Sequence, residues 1–191
     1  MLDVPIADNQ MVTVMVAQTT FAILTLFGKS FRVDFLDKAE AHLKPGLRGR
    51  FLICSEHPLL LRHNSRKVSV YINSRPEDPN ALFCDIQARI ETLLQSWRDW
   101  QSVLSGGINQ FQKNLLDGTG ILLQDAPAEV AKIVIDACAE RGVLTWVPDA
   151  INTNSSAAPE YKLLLIGAHY AIARDFRFVQ LSTAAPRQSG Q

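Results

Sequence analysis

Seven large apolar side chains, Phe83, Ile86, Ile90, Leu93, Trp97, Trp100 and Leu104, follow one another at steps of three and four residues. On an α-helix that spacing places all seven on one stripe. Asp78 is a suitable N-cap and Pro79 a suitable first helical residue. The spacing therefore predicts a helix from Pro79 to about Leu104, roughly 39 Å long at the helical rise, broken at Ser105-Gly106-Gly107. Such a stripe has to be buried. Either it lies across the chain's own sheet as core, or it pairs with a helix of another molecule, a second copy included. Trp97 and Trp100 are large for a two-stranded seam and favoured at interface centres. Trp97, Trp100 and Leu104 are accordingly the expected partner-binding end of the helix.

Before this helix the residues alternate. Val12, Val14 and Val16, then Phe31, Val33 and Phe35, then Val68, Val70 and Ile72 are apolar, with other residues between them. Alternation of this kind belongs to antiparallel strands covered on one face. Strands are expected over 12–25 (one bent or two), 31–35, 50–54, 59–62 and 68–72. Gly28-Lys29-Ser30 and His63-Asn64-Ser65 read as turns and Ala39–Leu43 as a short helical turn. Beyond the long helix, Ile108, Phe111 and Leu115 continue helical spacing. Asp125 and Pro127 open another helix, which Gly142 closes. Val143–Val147 and Phe176–Leu181 read as strands and Tyr161–Ala173 as a helix. The expected fold class is α+β: an N-terminal antiparallel sheet covered by the long helix and by further C-terminal helices, in a single domain over residues 1–182. Residues 1–10 read as a loose lead-in, 152–159 as a mobile loop and 183–191 as a disordered tail.

At 47% hydrophobic and 20% charged residues the composition is that of a folded chain. The 19 basic and 19 acidic residues cancel, so no overall field draws the protein to nucleic acid or membrane. Met11–Phe27 carries several threonines and falls short of a comfortable span, so no membrane use is expected. Three widely spaced cysteines, Cys54, Cys84 and Cys138, suit a reduced, cytoplasmic protein.

Local chemistry is sparse. Gly28-Lys29-Ser30 resembles the end of a phosphate loop but lacks the glycine five residues earlier that the loop backbone requires. Ile133–Asp136 looks like the matching acidic strand but sits in a helical pattern. Cys54, His57 and His63 are zinc-competent residue types without a fourth ligand. No metal and no cofactor are expected. His57, beside Cys54-Ser55-Glu56, and His169, beside Gly167, are the candidate bases of a small enzyme.

Charge is unevenly spread. From Lys44 to Arg75 there are seven bases against one acid, and from Glu77 to Glu160 twelve acids against five bases. Arg48, Arg50, Arg62, Arg66 and Lys67 are therefore candidates for binding nucleic acid or an anionic ligand, with Tyr71 as a stacking ring. The leading expectation is a non-enzymatic protein-interaction module, an adaptor, chaperone-like factor or regulatory subunit, whose partner is another protein or a second copy in a homodimer. Anion or nucleic-acid binding is the first alternative and a small enzyme the second.

Overall fold

The computed structural model describes residues 10–26, 28–104, 106–148 and 160–181. The chain begins with strands β1 (Met11–Ala17), β2 (Phe21–Leu26), β3 (Lys29–Leu36), β4 (Glu40–Ala41) and β5 (Arg48–Cys54). A 3-10 turn at Pro58–Leu60 leads into the one-turn helix α1 (Leu61–Asn64), then β6 (Lys67–Ile72) and α2 (Pro79–Leu94). A second 3-10 turn, Trp100–Val103, precedes α3 (Gly107–Asp117), β7 (Gly120–Pro127), α4 (Ala128–Glu140) and β8 (Thr145–Trp146). The chain ends in β9 (Lys162–Ile166), β10 (His169–Ala173) and β11 (Asp175–Leu181). The class is α+β. The expected lead-in lies almost wholly outside the described residues, and the 152–159 loop and the 183–191 tail lie entirely outside them.

Where the sequence suggests one domain, the chain divides into two compact units. One is built from the segments up to Glu56 and after Ala158, and the other is His57–Ala158.

The first unit is a closed antiparallel barrel. Its strand segments are ordered β11-β3-β2-β1-β5-β9-β10-β4. The two outermost segments are continuations of strands already inside that order. β3 runs on into β4, and β10 runs on into β11. Along this double strand, Phe35 faces Phe176 and Leu36 faces Asp175, and further on Glu40 faces Ile172 and Ala41 faces Ala171. The amides of Arg174 and Ala39 bridge the bend, bonding to the carbonyls of Leu36 and Ile172. One extra residue on the 29–41 side is taken up at Asp37, whose φ is +46°. That is a bulge, the usual device for bending a strand around a barrel corner. Six continuous strands thus pair in a ring, which removes the exposed edges of an open sheet. The alternation read from sequence fills the interior: Val12, Val14, Leu24, Phe31, Val33, Phe35 and Phe51 join Leu164, Ile166 and Phe176 in one buried cluster.

Two expectations in this unit change. Ala39–Leu43 holds the short strand β4, not a helical turn. Tyr161–Ala173 is the β9–β10 hairpin, not a helix. Its turn is at Gly167, with φ +60°, a conformation that glycine adopts without strain. Close packing also matters there: a Cβ on Gly49 would lie 2.7 Å from the Gly167 nitrogen.

In the second unit, β6 is the centre of a three-stranded antiparallel sheet ordered β7-β6-β8. Val70 and Ile72 turn inward beneath α2 and α4, in a cluster with Leu122, Leu123, Val130 and Val134. Tyr71 points to the other face. It stands opposite Ile121 on one side and Trp146 on the other, its ring tilted against Trp146 at 5.1 Å.

The long helix is shorter than its stripe. The Asp78 carboxylate accepts from the Ala81 amide and caps α2 as expected. The helix then ends at Leu94, because Gln95 takes φ +53° and ψ −145°. The stripe nevertheless stays buried. Trp100 sits in the second 3-10 turn, which the Asp99 carboxylate caps through the Gln101 amide. Phe83 packs edge-on against the Trp100 ring. Phe83, Ile86, Ile90, Trp100 and Leu104 lie in the second unit's own buried cluster, with Leu93 packed against it.

β7 went unread in the sequence, and Leu59–Arg62, read as a strand, is helical. β7 pairs with β6 through two register shifts, so that Leu122 and Leu123 are both buried while Gln124 and Asp125 are both exposed. Two bulges erase the period of two by which a strand is recognised.

Candidate functional site

The N-terminal end of β6 and the bulged end of β7 form two walls of a pocket of about 350 Å³ within the second unit. The other walls are the turn carrying Pro58, Leu61 and Arg62 and the segment following α2, which supplies Arg98, Ser102 and Leu104. A volume of this size is at the lower end of the range for small-molecule sites and excludes a polymer from its interior.

Three bases line it: Arg62, Lys67 and Arg98. Asp125 is the single acid on the lining. Lys67 opens β6, and its ammonium donates to the Arg62 carbonyl at 2.5 Å, which fixes its direction. Burial holds the Lys67 pKa below that of an ordinary lysine, and the neighbouring Arg62 charge pushes the same way, against Glu129 and Asp125. Three bases and one acid thus line the site, with Glu129 acting on Lys67 as well.

The backbone around the pocket is unusual. Among the described residues, three non-glycine positions have positive φ: Asp37 at the barrel corner, and Gln95 and Asp125 here. Asp125 lies in the β7 bulge with φ +51°, and its amide donates to the Ser69 hydroxyl at 3.1 Å. Gln95 is the turn that directs Arg98 out of the helical path. Strained positions of this kind cluster at ligand sites. Pro127 is both a wall of the pocket and the residue from which α4 starts, with no side-chain cap, so the positive end of that helix adds to the same field.

The five basic candidates do not act as one patch. Arg62 and Lys67 line the pocket. Arg66 is exposed beside it without lining it. Arg48 and Arg50 are exposed on β5 of the barrel unit. Arg98 was missed: it lies 31 positions beyond Lys67 inside the apolar stripe, and nothing in its local sequence marks it as a ligand. Only the turn at Gln95 brings it there.

The three expected partner-binding residues all lie in the second unit. Trp100 is 6% and Leu104 8% exposed, both in the second unit's core. Trp97 is half-buried and packs edge-on against the His57 ring at 4.8 Å. His57 plays a structural part. Its Nδ1 accepts the Leu59 amide at 3.2 Å, capping the first 3-10 turn, and burial lowers its pKa. His169 is on β10, with Nδ1 3.1 Å from the His42 carbonyl. His63 lies in α1. Cys54 ends β5. Among the described residues, no group of three or more His, Cys, Asp or Glu is placed to hold a metal ion. Gly28 lies in the β2–β3 turn while Lys29 and Ser30 open β3, so a strand and not a helix follows the glycine. No helix among the described residues is long and apolar enough to cross a membrane.

Comparison with family models, with curated proteins and with solved structures finds no match to this chain. The functional reading therefore rests on the pocket alone.

Proposed function

We propose that this protein is a binding module for a small anionic molecule, held in the second unit by Arg62, Lys67 and Arg98. The observation that carries the reading is the convergence of these three cations, from three separate segments, on one cavity of about 350 Å³. Arg62 and Lys67 are solvent-exposed residues that nonetheless share one cavity with Arg98. Two of them, Arg62 and Lys67, belong to the basic segment read from the sequence. The size of the cavity favours a small ligand over nucleic acid.

The test is retention. Protein purified gently is examined intact by native mass spectrometry, and the small molecules released on denaturation are identified. The expected result is a bound anion that survives nuclease treatment. It should be absent from an Arg62→Gln, Lys67→Gln, Arg98→Gln triple variant that remains folded by circular dichroism. An anion retained equally by the triple variant would place the ligand elsewhere and overturn the reading.

A further inference from the structure

Resting on the anion-binding reading, we infer from the charge and shape of the pocket that the ligand is a phosphate monoester bearing an apolar body, recognised in its dianionic form. Arg62, Lys67 and Arg98 line the cavity together with one carboxylate residue, Asp125, and Glu129 also acts on Lys67. A phosphate monoester carries close to two charges at neutral pH and three terminal acceptor oxygens, which matches three cationic donors. Arg62 and Arg98 each offer the planar fork that suits phosphate oxygens, and Lys67 a compact point charge. The remaining wall is apolar: Pro58, Leu61, Leu94, Val103, Leu104 and Pro127. Inorganic phosphate would leave that surface wet, whereas the organic part of an ester covers it. Lys67 is held below an ordinary lysine first by burial and then by the Arg62 charge, and a dianion beside it would favour its charged form.

The experiment uses the full chain and calorimetric titration with four probes: phenyl phosphate, phenyl sulfate, benzoate and inorganic phosphate. Phenyl sulfate has the shape of phenyl phosphate and one charge fewer. At pH 7.5 phenyl phosphate is expected to bind about tenfold or more tighter than phenyl sulfate, since charge-assisted bonds are the strong ones. It should also bind more tightly than inorganic phosphate. At pH 5, below the second phosphate pKa of about 6, phenyl phosphate becomes a monoanion and the gap to phenyl sulfate should close. Arg98→Gln should weaken phenyl phosphate, while Arg48→Gln, on the barrel, should not. Equal binding of phenyl sulfate or benzoate at both pH values would overturn the dianion inference while leaving a pocket for anions. No binding by any probe would sink both readings. Unchanged binding in Arg98→Gln, or a loss in Arg48→Gln, would show that the phosphate sits elsewhere. The comparison among probes is made on the unaltered protein, so it stands even where a variant fails to fold.

Discussion

Trp97 and Trp100 illustrate how neighbouring members of one sequence pattern come to different uses. Trp100 is enclosed between Phe83 and the rest of the second core, so Trp100→Ala leaves a large cavity and should cost about 3–5 kcal/mol. Trp97, half-buried against His57, should cost clearly less when truncated. Urea midpoints of the two single variants decide the point. Equal losses would mean that Trp97 is as much core as Trp100. The cysteines divide in the same way. Burial pushes the Cys138 thiol up to about 11, while Cys84 on α2 is exposed. Since only the thiolate reacts, iodoacetamide at pH 8 should modify Cys84 in the native protein and leave Cys138 untouched, which peptide mass mapping can read. Prompt labelling of Cys138 would refute the packing described for α4. At this scale the sequence indicated residue type but not duty. Lys67 and Arg62 were legible as basic. That they share a cavity with Arg98, while Arg48 does not, follows from the path of the backbone alone.

The helices α2 and α4 are joined by one ionic clamp. Arg89 donates from Nε to Asp85 at 2.8 Å and from Nη1 to Glu140 at 2.9 Å, and Arg141 reaches Asp85 at 3.4 Å. The hydrogen bonds from Arg89 are the main reason that Asp85 and Glu140 lie below the ordinary carboxylate range. A carboxylate whose pKa is lower in the fold contributes stability that is complete above its unfolded value, about 4, and is lost as the pH falls through the folded value. Arg89→Met should therefore be less stable than the parent at pH 7, with the difference shrinking at pH 3. Urea unfolding at the two pH values measures it, and a difference independent of pH would show that the clamp is not the source. Elements with uninterrupted patterns were readable in advance. β6 alternates cleanly, and α2 announces its start through Asp78-Pro79. β7 was not readable, because its two bulges place Leu122 and Leu123 inside together. The end of α2 was not readable either. Gln95-Ser96 contains no glycine or proline, and the apolar spacing continues past the break because a 3-10 turn can feed the same core.

For the whole molecule, the two units differ in how their sheets end. Among the described residues, ring closure leaves the barrel without an exposed strand edge, whereas in the second unit no strand pairs with the outer side of β7 or of the two-residue β8. Native-state hydrogen exchange should accordingly show protected amides on all six barrel strands, with no strand distinctly weaker. In the second unit, β6 should be better protected than β8. One barrel strand exchanging as fast as β8 would mean that the ring is open there. The division into two compact units has a reason of scale. The segment that completes the barrel, β9 to β11, lies more than a hundred residues after β5, and no local pattern records that they pair.

Local sequence was enough to set the period of uninterrupted elements such as β6, the cap that starts α2, the glycine at Gly142 where the backbone takes positive φ, and the concentration of bases between Lys44 and Arg75. These depend on neighbours within a few positions, where sterics and periodicity act directly. Three outcomes came from the folded arrangement instead: which surface buries the apolar stripe, that β3 and β10 bend into β4 and β11 to close a barrel, and which three of the basic residues meet in a pocket. Those outcomes depend on pairings between residues tens of positions apart. Their free energy lies in packing and charge complementarity, which exist only once the chain has folded.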